Sequence, residues 1–401
     1  MDNRKELRQR SKTSKKDTPH KRTGDENALQ GSTSRNTITF VVKVVIAALS
    51  AYLCCAYFTS PTSSVVVNDM HNIGQLKWAN MINNDLQSGE KLFTELIGPE
   101  SIAVDKVGNW YAGLEDGRIM KISNSGKVLT ELTKSFDFAK GSKRVDKRIM
   151  GLRLFNSKLF FADAYQGIFV IDILTKEWKK IVGFGDVNPN LMFANDLTIT
   201  ADGSTIYFTD TSEKWDYKGA AYSIIEVECS GRLFKVDLTT KSVDLLRERL
   251  CFANGIELDL TESKLLLSEN SRRRILVFDI KSGEILKQIL LPGGPDNIRR
   301  SRDGGFWAPI PVLPDPSFDI ALPFPVIRDT LTGAISLETL FKLLKMNKGV
   351  VVKISSTFEP EAIHYDLDGK VCQAISHVCE LDTGELLLGT VTSRGIVRLK
   401  L

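Results

Sequence analysis

The chain has 401 residues, of which 42% are hydrophobic and 25% charged, with a formal net charge of +4. That composition excludes a disordered or fibrous polymer and supplies enough apolar material for one large core. The positive excess sits mostly in the N-terminal tail and the rest is close to neutral, so no nucleic-acid partner is expected.

Residues 1–37 carry Arg4, Lys5, Arg8, Arg10, Lys12, Lys15, Lys16, Lys21 and Arg22 among Ser, Thr, Asn and Gln. With little to bury, they are expected to form a disordered basic tail, solvated or resting on anionic headgroups. From Ile38 to Phe58 the chain is apolar apart from Lys43, about the length needed to cross a bilayer. The basic flank lies N-terminal to this span, which by the positive-inside rule places the tail in the cytosol and the remainder in the lumen or outside, at the endoplasmic reticulum or plasma membrane. A basic region this long does not fit a cleaved signal peptide, so an uncleaved signal anchor is expected. Cys54 and Cys55 fall inside the span, as apolar filler or acylation sites. Cys229, Cys251, Cys372 and Cys379 fall in the oxidising compartment, where one or two disulfides become possible with the pairing open. Residues 59–87 read as a linker.

From residue 88 to 401 the sequence is a succession of short strands separated by turns such as Asp-Gly and Asn-Ser. Six runs share one register: Asn109–Gly113, Leu159–Asp163, Thr205–Asp210, Lys264–Glu269, Gly305–Pro309 and Glu385–Thr390. They predict an all-β, six-bladed β-propeller in which each run is the second strand of a blade. Outer strands follow at Gly117–Ile122, Gly167–Asp172, Gly231–Asp237, Arg274–Asp279 and Gly395–Leu399, and Lys91–Ile97 is placed to close the last blade. Ser336–Met346 carries Leu337, Leu340, Phe341 and Leu344 at helical spacing, predicting a helix late in the fifth blade that caps a pocket or covers a sheet edge.

Four runs repeat one design, a polar residue at the mouth of a strand with apolar residues behind it: Gly98-Pro99-Glu100-Ser101-Ile102, Phe193-Ala194-Asn195-Asp196-Leu197, Phe252-Ala253-Asn254-Gly255-Ile256 and Gly294-Pro295-Asp296-Asn297-Ile298. Equivalent strands of a radial fold bring their first residues to one point on the axis. Glu100 and Asp296 then offer carboxylates, and Asn195, Asn254 and Asn297 amide oxygens. Such hard donors suit Ca²⁺, which takes six to eight oxygens, better than Zn²⁺. The competing reading is turn chemistry, with each side chain bonding its neighbours' backbone.

With Gly151-Leu152-Arg153, Ala162-Asp163-Ala164-Tyr165, Tyr207-Phe208-Thr209-Asp210-Thr211-Ser212 and Gly231-Arg232-Leu233 added, these runs cover five blades in order. They resemble the strictosidine synthase-like propellers, in particular a branch with a short cytosolic tail and one span. The wider superfamily includes paraoxonases and gluconolactonases, whose central metal is held by residues matching Glu100, Asn195, Asn254, Asp296 and Asn297. By resemblance, that implies calcium and hydrolysis of a small ester or lactone. Two departures stand out. The histidine pair of the paraoxonase-like lactonases has no counterpart near Asp163-Ala164-Tyr165, and the catalytic glutamate of the plant synthase corresponds to His377. The alkaloid-forming condensation is therefore not expected. His377, as a neutral imidazole with an ordinary pKa of about 6.5, and Asp163 are the candidate bases for activating water. His377 could equally be a buried histidine bonded to backbone, and Asp163 a turn carboxylate. Asp210, Glu269 and His364 read as turn or blade-surface residues. The alternative to an enzyme is a membrane-tethered binding or chaperone-like scaffold with a structural calcium.

Overall fold

The computed structural model describes residues 25–71, 73–76, 81–135, 137, 144–344 and 346–401, with residues 25–36 and 135 described by backbone alone. The chain divides into two units, Met1–Cys55 and Ala56–Leu401. Helix α1 (Asp25–Phe58) contains a 22-residue stretch, Thr37–Phe58, long and apolar enough to cross a membrane. It begins ahead of the expected boundary at Ile38, as helical turns propagate cheaply from an established segment. Residues 1–24 of the expected tail lie outside the described residues.

Six four-stranded antiparallel sheets make up the second unit. The innermost strands of the first four blades are Ser101–Val104, Ile149–Phe155, Ala194–Ile199 and Ala253–Leu258. Arg299–Arg300 and Ile375–Glu380 serve blades five and six. All six expected second strands occupy the second position of their sheets. Glu90–Ile97 pairs with Arg394–Leu399 on the outside of blade six, so the two ends of the propeller close one sheet, as expected.

Adjacent blades are sealed face to face by apolar clusters. Tyr111 and Ile119 of blade one meet Leu152, Phe161 and Phe169 of blade two, and Leu266 and Val277 of blade four meet Phe306 and Val352 of blade five. The ring is completed where Ile102 and Trp110 pack against Leu387 and Ile396. Burial on both faces explains why the second strands are near-continuous apolar runs.

A helical cap stands on two insertions. α2 (Ala220–Glu226) lies between the second and third strands of blade three, and α3 (Pro316–Ala321), α4 (Pro325–Ala334) and α5 (Leu337–Leu343) between the same strands of blade five. The expected helix is α5, started by Ser336 as N-cap. It is followed by the third and fourth strands of the blade, Gly349–Ile354 and Pro360–Asp366, so the insertion sits in mid-blade and not late in it. Of the expected linker, residues 60–65 are fixed onto this cap. The Thr62 hydroxyl donates to Asp329 (2.8 Å), and the buried Arg328 donates to the carbonyls of Ile225 (2.7 Å), Glu226 (2.9 Å) and Val65. One disulfide, Cys229–Cys251, joins the end of the blade-three insertion to the start of blade four, while Cys372 and Cys379 are free thiols.

Candidate axial cation site

The inner strands carry equivalent bulges. Ile149, Ala194 and Ala253 pair with Asp163, Asp210 and Glu269, and the register slips before Leu152, Leu197 and Ile256. A bulge leaves one residue unpaired and re-aims side chains. Asn195 and Asn254 occupy the first bulge position in blades three and four, and Met150 occupies it in blade two, so blade two brings no oxygen there. Gly255 follows Asn254 because a Cβ there would come within 2.2 Å of the Asp296 carbonyl in the next blade.

A hydroxyl from one blade clasps the next beside these donors. Thr209 donates to the Asn254 carbonyl (2.7 Å), Ser268 to the Asp296 carbonyl (2.7 Å) and Ser376 to the Glu100 carbonyl (2.8 Å). Thr211 donates to the Ala253 carbonyl (2.8 Å) and accepts from Asn195 Nδ2 (3.0 Å), which turns Asn195 Oδ1 away from that pair.

Glu100, Asn195, Asn254, Asp296 and Asn297 are at most 4% exposed. Glu100 Oε1 and the Oδ1 atoms of Asn195, Asn254, Asp296 and Asn297 are buried without a hydrogen-bond partner. Among the described residues, these are all of the buried carboxylate and amide oxygens in that condition. Leaving one such group unsatisfied costs about 1–3 kcal/mol. Together these two carboxylates and three amides form a donor set of the kind a hard cation takes. Burial raises the pKa of Glu100 and raises that of Asp296 well above the carboxylate range, with Glu100 itself the next contributor at Asp296. A cation at this position would oppose both shifts. Among the described residues no group of three or more His, Cys, Asp or Glu is placed to hold a metal.

Four of the five donors line one cavity of ≈ 50 Å³, whose walls include Met150, Phe193, Tyr217 and Phe252 and whose cap side is Phe341, Leu344 and Met346. The α5 segment therefore caps a pocket. Asn297, next to Asp296, is fully buried and its backbone N–H donates to the Ser376 carbonyl (3.0 Å), joining blades five and six.

The candidate bases lie elsewhere. His377 lines a second cavity of ≈ 390 Å³ toward the far end of the inner strands, with Arg153, Glu257 and Arg299. Its Nδ1 is 3.2 Å from the Ser101 hydroxyl. Burial, then Arg299 and Arg153, hold the imidazole well below its usual value, so it is neutral at pH 7. Asp163 lines neither cavity. Its oxygens accept the backbone N–H groups of Arg148 (2.7 Å), Tyr165 (3.0 Å) and Gln166 (2.9 Å), and burial pushes it up to about 7. Asp210 and Glu269 accept backbone N–H groups at the matching places in blades three and four. Asp163 thus sits with two equivalent strand-end carboxylates at the entry to an inner strand, the place its turn-carboxylate reading gives it. His364 bonds Asp85 at the surface (2.9 Å), as a blade-surface residue should.

Sequence reasoning missed Arg148, which is 1% exposed. Its Nη2 donates to Glu100 Oε2 (3.0 Å) and to the Val391 carbonyl (2.6 Å), and its guanidinium lies 4.8 Å from the Tyr217 ring centroid. The one available signal was blade two itself, where the axial position is Met150 and an arginine precedes the strand.

Comparison with known proteins gives a consistent set of likenesses. Residues 195–282 match the strictosidine synthase family and residues 81–122 the N-terminal region of strictosidine synthase-like proteins. The adipocyte plasma membrane-associated protein of Homo sapiens is 34% identical over 336 residues, covering 80% of this chain and 79% of that one. Its Gallus gallus counterpart is 35% identical over 335 residues, with the same coverage. A solved structure provisionally named as a gluconolactonase is similar in fold, with a TM-score of 0.51 at 13% identity over 77% of this chain and 91% of that one.

Proposed function

The chain belongs to the adipocyte plasma membrane-associated protein family of strictosidine synthase-like propellers, and on that premise we propose that it is a membrane-anchored, calcium-binding propeller that hydrolyses an ester or lactone. The observation that carries this reading is the set of five buried oxygens without partners at the mouths of four blades. Glu100, Asn195, Asn254, Asp296 and Asn297 would hold the ion. When bound, it would supply Lewis acidity toward a carbonyl and stabilise the developing oxyanion. Phe193, Phe252, Phe341 and Leu344 give the cavity apolar walls that exclude bulk water and hold an acyl or aryl group. A cavity of ≈ 100 Å³ beside it shares Ile224, Asn270, Val312 and Leu344 with the axial one, so the cap offers more room once those side chains shift. Proton transfer is not assigned to Asp163, whose oxygens are taken, nor directly to His377, which faces the other cavity.

The proposed orientation has a cytosolic N-terminus and a lumenal or extracellular propeller, at the endoplasmic reticulum or plasma membrane. The basic tail and the Cys229–Cys251 disulfide, which suits an oxidising compartment, support it.

A second reading, a tethered scaffold with a structural calcium, is favoured by the small capped cavity of ≈ 50 Å³ and by the absence of a candidate base from its lining. Full-length protein in detergent, assayed against an aryl ester and a lactone panel with and without chelator, separates the two. Chelator-sensitive turnover supports hydrolysis, whereas a chelator-induced fall in melting temperature without turnover supports the scaffold. Turnover that survives combined Glu100→Gln and Asp296→Asn substitution would end the metal-assisted mechanism.

A further inference from the structure

Arg148 brings a full positive charge to a site whose donors suit a divalent cation. Its Nη2 holds Glu100 Oε2 at 3.0 Å. Nη1 is 3.7 Å from Glu115 Oε2, an ion pair beyond hydrogen-bond length, and neither Nε nor Nη1 has a hydrogen-bond partner. A guanidinium that is 1% exposed with two unsatisfied donor atoms is not placed for its own stability. What fixes it is the axial site: Glu100 on one side, the Tyr217 ring on another, and the Val391 carbonyl. Tyr217 and Val391 also line the capped cavity with Glu100.

We propose that Arg148 is a built-in counter-cation that sets the strength of the axial site, holding one oxygen of Glu100 and lowering the affinity for a divalent cation below what the five donors alone would give. The inference rests on the cation reading above and adds a positioning residue that reading does not require. Before a cation binds, Arg148 offsets the mutual repulsion of Glu100 and Asp296, so the propeller closes without metal. With a cation present, the guanidinium repels it across Glu100. Calcium affinity in protein sites follows the charge count around the ion, and Arg148 takes one unit away.

The test is calcium titration by calorimetry of full-length wild type, Arg148→Gln and Arg148→Lys in detergent, with thermal unfolding in chelator alongside. Gln keeps a donor for Val391 and removes the charge; Lys keeps the charge. The expected result is at least tenfold tighter calcium binding by Arg148→Gln, affinity near wild type for Arg148→Lys, and a larger calcium-induced rise in melting temperature for the Gln variant. A purely structural role would weaken binding or leave it unchanged in both variants, and that result overturns the proposal. If Arg148→Gln fails to fold, Arg148→Met is read by the same criteria. If wild type and every folded variant fail to bind calcium, the cation reading itself falls, and this inference with it.

Discussion

Gly255→Ala tests whether the sequence following each donor is dictated by contact between blades. A Cβ at Gly255 would lie 2.2 Å from the Asp296 carbonyl oxygen, 2.5 Å from the Ile298 nitrogen and 2.6 Å from the Asn297 Cα, all backbone atoms that no rotamer change can move aside. Ordinary contact needs about 3.4 Å, so the inner strands of blades four and five must part by roughly 1 Å. Overpacking of this kind costs about 1–3 kcal/mol, and for a domain of this size that lowers the melting temperature by about 1.5–4.5 °C. The same displacement separates Asn254 from Asp296 and Asn297, three of the five donors, so calcium affinity should fall together with stability. Thermal unfolding and calorimetric calcium titration of wild type and variant measure both. A variant that melts within about 1 °C of wild type and binds calcium equally well would refute the claim that blade contact sets the donor geometry.

Ser268→Ala removes the clasp onto the Asp296 carbonyl; the expected cost is about 1 kcal/mol in urea unfolding, with weaker calcium binding as the readout specific to the site. Asp163 has a folded pKa of about 7 against an ordinary 3.8, so its contribution to stability is greatest at low pH and is lost as pH rises from about 4 through 7. Wild type should therefore lose about 3–4 kcal/mol relative to Asp163→Asn over that interval, and parallel pH profiles would contradict the assignment. Cys251→Ser opens a disulfide between residues separated by 22 positions, with an expected loss of about 3 kcal/mol, while Cys372, whose thiol burial pushes up to about 12, should resist alkylation until the protein unfolds. Arg328→Met leaves the Ile225, Glu226 and Leu322 carbonyls without their donor, and amide exchange at residues 60–67 and 220–227 should accelerate while the blade cores stay protected.

What the sequence made legible follows from burial. In the second strand of blade four, Lys264–Glu269, the residues Leu265, Leu266 and Leu267 are covered on both faces and stand out as an apolar run. The outermost strand of blade three, Val243–Leu250, reads VDLLRERL and is largely exposed, so nothing in its pattern announced a strand. The third strand of blade five went unseen because three helices separate it from its partner in sequence. The five candidate donors were legible as a set because four blades repeat one run. The bulges that aim Asn195 and Asn254, and the hydroxyls clasping them from adjacent blades, are long-range facts without a local pattern. Sequence left Asp163 open between a base and a turn carboxylate, because its equivalence to Asp210 and Glu269 at the same place in the next two blades depends on strand register and not on a local pattern.

The most direct measurement is calcium titration of full-length protein in detergent, followed by aryl-ester hydrolysis on the same sample. The account predicts saturable binding that is lost in combined Glu100→Gln and Asp296→Asn protein, with turnover that follows occupancy. Wild-type protein that binds no calcium would contradict the axial cation site, and binding without turnover would assign the ion to the scaffold.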